Sequence, residues 1–319
     1  LEALFLSLGA NNPELLIRVN VFRGIQQFKV DETALFEGPW KWLFRTREPD
    51  CNIKIIETDV HHQIRELQIL FEQSKAQILG SERPRSDEII STSAGSNNIA
   101  GNRIILRQII DSENYDSKLF INARNEFEVE RSTESLRSRG VYITPYVMTK
   151  TDAESAERFS RAEKENRQDH LVKALQSIEP RLKRLTLLFE GGQPAIFGDI
   201  GIGELIPLNY MGAGLSRLLY ILLAIIDAPN GRVLIDEVEN GLHYSVLVDV
   251  WKAIQRISKD LNVQVFATTH SLECIRASHQ ALQSSEDYDL KYFRLERKED
   301  NFRAVSYDHE TMMTSVDMD

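Results

Sequence analysis

The feature that most constrains this chain is a strand, a helix and a second strand in close succession toward its C-terminal end. "GRVLIDE" supplies a short apolar strand, residues 232–236, that ends in acids. "LHYSVLVDVWKAIQRISKD" follows as an amphipathic helix, with Leu242, Val246, Val250 and Ile254 on one stripe. "VQVFATTH" is a second apolar strand, ending in His270. Strand, helix and strand at this spacing form a βαβ unit. Such strands run parallel, are buried, and are joined by a right-handed crossover. Ligands of parallel sheets sit beyond the carboxyl ends of the strands. Asp236, Glu237 and His270 all fall at those ends.

Residue chemistry gives each of the three a candidate task. An apolar strand ending in adjacent acids is a Walker B pattern. Asp236 suits a Mg2+ ion held through its hydration shell, because Mg2+ prefers hard oxygen ligands and couples to phosphate oxygens. Glu237 suits polarisation of an attacking water. His270 can hydrogen-bond a γ-phosphate and so sense whether it is present. A strand ending in two acids is also how an ordinary polar strand end looks; the histidine ending the next strand separates the two readings. Upstream, in "NYMGAGLSRLLYILLAI", Gly212, Ala213 and Gly214 precede an apolar helix. Amides at a helix N-terminus favour anions, and glycines let the backbone approach a phosphate closely. The same tripeptide also serves as a plain loop–helix junction, and its place just before the Walker B strand is what gives it weight.

Together "MGAGLSRLL", "VLIDEVENGLH" and "VFATTHS" resemble the signature motif, the Walker B motif with its D-loop, and the switch histidine of ABC-type ATPases. Among these the chain is most similar to AAA-family ATP-binding proteins of the OLD, RecF and SMC-like group. The ordered set of three motifs is specific; each alone is not. The resemblance implies an α/β fold: an ABC-type ATPase head with a parallel P-loop-NTPase sheet, an antiparallel β lobe and a helical insertion. It implies ATP and Mg2+ as cofactors. Gly212 and Gly214, with Ala213 between them, correspond to the turn that presses on the γ-phosphate of ATP held by the opposite protomer. Glu239, Asn240, Gly241 and Leu242 match the D-loop, which crosses the dimer interface. The implied partners are a second copy of the chain, as a homodimer or a higher assembly of dimers, DNA, and a separate TOPRIM-type or other nuclease effector. Members of the group act in DNA repair, chromosome handling and defence against phage.

Two departures stand out. The usual signature serine is replaced by Gly212, which removes a hydroxyl contact and leaves backbone donors. No G-x-x-x-x-G-K-[ST] occurs in the sequence, and without its lysine and hydroxyl ATP binds poorly. The opening "LEALFLSLG" has helical apolar spacing, is ended by Gly9, and looks like the helix that follows a P-loop in this group. A strand and P-loop of roughly 30–45 residues are therefore expected upstream of Leu1.

The rest divides by texture into one ATPase domain over residues 1–319 with four regions. Residues 1–50 read as the post-P-loop helix and its connection. Residues 51–145 read as an antiparallel β lobe whose first hairpin turns at Asp59, His61 and His62. Residues 146–190 are highly charged and helical, with Asp152 placed to cap and Pro180 to break. Residues 191–319 hold the three motifs, with a hairpin in "AIFGDIGIGELIPLN" turning near Gly201 and Gly203. The near-even charges of the helical segment read as a solvated face more readily than as a binding surface.

Bulk properties narrow the remaining choices. The net charge of -10 excludes a general polyanion binder, so any nucleic-acid contact needs a local basic patch. No window approaches ~18 consecutive apolar residues, which argues against a membrane partner. The two cysteines, Cys51 and Cys274, stand far apart, and a cytoplasmic setting fits them best. His61 and His62 suit a polar turn better than a metal site. Trp40 and Trp42, beside Lys41, suit packing better than base stacking. Arg131, Arg137 and Arg139 suit phosphate contact and an exposed connection equally. One alternative to an ATPase remains open, a non-catalytic scaffold or regulatory subunit retaining the fold; a metal-dependent phosphoesterase built on Asp236, Glu237 and His270 alone would need further acids at neighbouring strand ends, which the sequence does not offer.

Overall fold

The computed structural model describes residues 1–23, 52–58, 64–72, 103–121, 127–132, 139–145, 153–283, 288–299 and 301–312. Asp59, His61, His62, Trp40, Lys41, Trp42, Cys51, Arg137 and Asp152 lie outside them. Two compact units form: one from Glu2 to Ser138, the other from Leu1 with Arg139–Asp319. Each mixes helices with sheet, so the chain is α/β, with parallel and antiparallel sheets side by side in its make-up.

The first unit holds α1 (Glu2–Leu8), α2 (Glu14–Phe22) and the strands β1 (Ile53–Thr58), β2 (Ile64–Glu72), β3 (Arg103–Ile110), β4 (Glu113–Ile121) and β5 (Phe127–Glu130). The five strands pair antiparallel in chain order, as their alternating sequences predict. In β2 and β3, Leu67, Ile69, Ile104, Ile105 and Leu106 are buried. The helix predicted for "LEALFLSL" is α1, and it stops just before Gly9. Across β3 and β4, Arg107 grips Asp116 with two bonds of 2.8 and 2.9 Å. That grip holds the Asp116 carboxyl below its ordinary value, and burial opposes it.

The second unit contains β6 (Gly140–Ile143), α3 (Ala153–Lys164), α4 (Gln168–Leu175), β7 (Arg184–Glu190), β8 (Gln193–Asp199), β9 (Ile206–Pro207), α5 (Ala213–Asp227), β10 (Arg232–Ile235), α6 (Leu247–Asp260), β11 (Gln264–Ala267), α7 (Leu272–Leu282), β12 (Tyr292–Lys298) and β13 (Asn301–Tyr307). Its parallel sheet has the order β11-β10-β6, with Ile235 opposite both Ala267 and Ile143. The βαβ unit read from the sequence is β10–α6–β11, and its strands are parallel. Two antiparallel groups, β7-β8-β9 and β12-β13, complete the unit.

α5 is the centre of the core. Every residue from Leu215 to Ile226 is buried, as a helix apolar on all sides demands. α6 contributes Leu247, Val250, Ile254 and Ile257 from one face. The sequence reading begins this helix at Leu242; the structure begins it at Leu247, after a 3-10 turn over Tyr244–Val246, so Leu242 and Val246 both precede the helix, though both pack against the same core.

Three other differences have physical causes. β6 falls within the stretch read as antiparallel, yet it pairs parallel with β10; a strand's composition does not reveal the direction of its partner. The charged segment is two helices, because Asn166 adopts a left-handed φ of 55°. Arg167 N then donates to Ala162 O at 2.8 Å and Asn166 N to Glu163 O at 3.0 Å, closing α3 with a left-handed cap. Residues 184–190, inside the segment read as helical, form β7 and pair with β8 across Gly191–Gly192. The hairpin near Gly201 and Gly203 is present as β8–β9.

Two measurements check this architecture. Leu222→Ala in the middle of α5 should cost about 2–5 kcal/mol of unfolding free energy, read by denaturant titration, because the emptied volume has no way to refill. Asp116→Asn should cost about 0.5–1 kcal/mol at neutral pH. Its folded value is depressed, so its contribution is complete above ~3.9, the usual unfolded value, and is lost as the pH falls through the lower folded one. The gap between wild type and variant should therefore close in acid.

Candidate functional site

The carboxyl ends of β10 and β11 carry the site. Asp236 follows β10 directly, and its amide donates to Ile143 O at 2.9 Å, continuing the parallel ladder toward β6. At Glu237 the chain turns sharply through a φ of 47°. That left-handed conformation is uncommon for a residue with a β-carbon and costs of order 1–2 kcal/mol. Val238 N then returns to β11's extension, donating to Thr268 O at 3.0 Å.

Thr268 organises the two acids. Its hydroxyl donates to Asp236 Oδ1 at 2.5 Å and accepts from the Glu237 amide at 2.9 Å. Tyr142 at the end of β6 donates its hydroxyl to Asp236 Oδ2 at 3.2 Å. Each Asp236 oxygen thus accepts from one hydroxyl. Sequence reasoning missed both partners; the only trace of them is a hydroxyl residue close to each neighbouring strand end.

His270 lies beyond the end of β11, whose pairing stops at Ala267 rather than running on to the histidine. The reason is β10, which turns away at Glu237, so the last main-chain bonds between the two segments are Thr268 N to Ile235 O and Val238 N to Thr268 O. His270 is anchored instead through its amide, which donates to Glu239 Oε1 at 2.9 Å. Its ring Nε2 stands 3.5 Å from Glu237 Oε1. The ring is 83% exposed, so this pair adds little stability; its importance is that it brings the two groups to one place.

The glycine turn begins α5 in the same unit. Gly212 caps the start of α5 with a φ of 115°, and nothing lies within 4 Å of where its β-carbon would be. The first amides of α5 cannot be reached by any carbonyl of their own helix and are available to an anion. Ala213 is exposed at the first helical position. Gly214 does something different. A β-carbon there would sit 3.2 Å from Gly241 O and 3.5 Å from Leu242 Cδ2. Its smallness lets α5 pack on the segment predicted to be the D-loop. That segment is tied inward as well: Asn240 Nδ2 donates to Pro145 O at 2.5 Å, and Gly241 turns with a φ of 78°. The structure thus brings Gly214 to Gly241, and Glu237 and Glu239 to His270, while α5 reaches the backbone of Asp236 and Glu237 only through Arg217, one turn beyond Ala213.

Beneath them sits Arg217, 2% exposed, on the second turn of α5. Burial pushes its guanidinium below its ordinary value, and the charges of Asp236, Glu237 and Glu239 push it back up. Its Nη1 donates to Thr144 O at 2.7 Å, and its Nη2 to Asp236 O at 2.8 Å and Glu237 O at 3.2 Å. In the sequence this residue is only an interruption of an apolar run. A buried charge must find partners, so the interruption was itself the available signal.

Acids at the carboxyl ends of parallel strands, next to a helix that starts on a glycine turn, are the layout of a nucleotide-handling site. Residues 45–275 match the family model of the AAA ATPase domain, and the chain belongs to that family. The matched span includes every residue of the site. An ATP/GTP phosphatase of Helicobacter pylori is 33% identical over 138 residues, covering 38% of this chain and 37% of that protein. An uncharacterised protein of Methanocaldococcus jannaschii is 43% identical over 65 residues, covering 20% of this chain and 57% of that one. The chain thus spans well under two thirds of the length of either relative. Among solved structures, the SMC head domain from Thermotoga maritima aligns at 13% identity with a TM-score of 0.34, over 65% of this chain and 74% of that chain. Among the described residues no helix is long and apolar enough to cross a membrane.

Thr268→Val is the sharpest test of the local geometry. It keeps the shape of the side chain, but it strands the Glu237 amide and removes a donor from Asp236. It should destabilise the protein by about 1–3 kcal/mol in thermal or denaturant unfolding, while Thr268→Ser should stay close to wild type.

Proposed function

We propose that this chain is the hydrolytic part of a dimerising ABC-type ATPase, with ATP and Mg2+ at the carboxyl edge of the β11-β10-β6 sheet. The observation that carries the reading is the convergence of Asp236, Glu237 and His270 at that edge, with Glu237 and His270 at 3.5 Å. The AAA ATPase domain match and the likeness to an ATP/GTP phosphatase support it.

The residues fit a Mg2+–nucleotide. Asp236 offers hard oxygens that already take one hydrogen bond each, which suits contact with a metal's water shell better than direct chelation. Among the described residues no cluster of three His, Cys, Asp or Glu side chains could hold a metal alone. A cation here therefore draws its other ligands from phosphate and water, as Mg2+ commonly does. When bound, Mg2+ would neutralise phosphate charge as the γ-phosphoryl group leaves. Glu237 would orient and polarise the attacking water, and His270 would donate a hydrogen bond to the γ-phosphate. The amides at Gly212 and Ala213 would meet the nucleotide of a second copy, and Asn240 and Gly241 would lie at the seam between copies. A two-fold arrangement of this kind gives two equivalent sites. The resemblance to the OLD, RecF and SMC-like group extends the proposal to regulation of a DNA-related process, such as repair or phage defence, through a separate nuclease-type effector.

Two variants of the full-length protein test it. Glu237→Gln should lower ATP hydrolysis by about 10²–10⁴-fold while leaving ATP binding in place. ATP-bound dimers should then accumulate in sedimentation with ATP and Mg2+; unchanged turnover would remove Glu237 from the reaction. Ala213→Asp probes the contact between copies. It is preferable to a change at Gly214, whose β-carbon would press on Gly241. An acid is tolerated at a helix start, so the monomer should fold, yet a negative charge would face the γ-phosphate. Added to Glu237→Gln, it should abolish ATP-dependent assembly; assembly that persists would show that the glycine turn does not meet nucleotide across the dimer.

A further inference from the structure

The backbone of Glu237 is held from both sides. A residue's φ and ψ are set by the orientation of the two peptide planes that flank it. The plane before Glu237 carries the Asp236 carbonyl and the Glu237 amide; the plane after it carries the Glu237 carbonyl and the Val238 amide. All four groups are engaged. Both amides bond to Thr268, through its hydroxyl and its carbonyl. Both carbonyls accept from the same Nη2 of Arg217, at 2.8 and 3.2 Å. The other terminal nitrogen of Arg217 reaches Thr144 O, just past β6. One planar guanidinium therefore spans the ends of β6 and β10 and holds both planes of a residue whose φ of 47° is intrinsically unfavourable.

Arg217 also connects two parts of the site. It lies four residues, one helical turn or roughly 6 Å of rise, beyond Ala213 on the helix that begins at the glycine turn. α5 is buried along its whole middle. Arg217 therefore joins the helix that begins at the glycine turn to both peptide planes of Glu237. A lysine could not do the same, since a single ammonium lacks the flat fork that reaches carbonyls on two strands.

We infer that Arg217 is a positioning residue for ATP hydrolysis: it holds Glu237 in its left-handed conformation and ties that conformation to the glycine turn at the start of α5. The inference rests on the ATPase reading above. It requires that loss of the guanidinium lower the rate of the chemical step and leave ATP binding largely alone. It also requires that Arg217 and Glu237 act as one unit, so that losing both costs little more than losing one.

The test uses the full-length protein and measures ATP affinity, kcat and KM for wild type, Arg217→Met, Arg217→Lys, Arg217→Ala, Glu237→Gln and the Arg217→Met/Glu237→Gln double variant. Arg217→Met should bind ATP within about 3-fold of wild type and lose about 100-fold or more in kcat, a loss confined to the transition state. Arg217→Lys should be intermediate. The double variant should be about as slow as Glu237→Gln alone. Millimolar guanidinium, well below denaturing concentrations, should restore part of the kcat of Arg217→Ala with a saturable dependence, and methylammonium should not. Wild-type kcat in Arg217→Met overturns the inference, as do additive losses in the double variant or an equal fall in ATP binding and kcat. If Arg217→Met does not fold, undiminished kcat in Arg217→Lys overturns it. A wild-type protein that binds ATP without turning it over overturns the ATPase reading together with the inference; turnover in wild type that survives in the variants overturns the inference alone.

Discussion

A helix that is apolar on every side has to be enclosed, and α5 imposes that requirement on everything around it. Its surroundings supply the enclosure: α6 packs Leu247, Val250, Ile254 and Ile257 into the same core, while α3 and α4 bring Phe159, Leu171 and Leu175. The parallel sheet contributes Val233 and Ile235. Because α5 cannot slide without exposing apolar surface, its first turn is held against the ends of the strands. The position of the glycine turn relative to Asp236 and Glu237 is thus a consequence of core packing, set well away from the chemistry.

The same enclosure explains why a charge can lie beneath the site. A lone buried guanidinium would be prohibitively unfavourable, but strand ends expose carbonyls that the ladder no longer uses, and these are the groups Arg217 meets. The arrangement is reciprocal. The carbonyls of Asp236 and Glu237 gain a donor at the point where the sheet stops providing one.

Much of this was legible in the residues, and the failures share a cause. Period and length reveal α5, α6 and the strand pair β10 and β11, because those signals are local. The acids could be placed at a strand end for the same reason, whereas His270 stands three residues beyond the end of β11. What could not be read is anything that depends on direction or on a distant partner. "GVYI" has the composition of a strand and gives no hint that its neighbour is parallel. Thr268 and Tyr142 are ordinary residues until β11 and β6 bring them to Asp236. Asn166 looks like one more polar residue in a charged helix, and its left-handed cap shows only when α4 must set off in a new direction. The inward bond of Asn240 to Pro145 is equally invisible in a linear reading, since 95 residues separate the two.

Asp227 ends α5 with a negative charge, where the helix's own carbonyls already concentrate negative potential. Left alone, it would loosen the last turn. Two arginines of α3 meet it instead, Arg158 at 3.3 Å and Arg161 at 2.8 Å. Arg158 is only 12% exposed, so this is more than a solvated surface pair. The unfavourable charge thereby works as an address. The two cations stand three residues apart on one face of α3, and both reach the same carboxylate. The charged segment thus meets α5 through these three residues as well as through the buried Phe159 and Ala162.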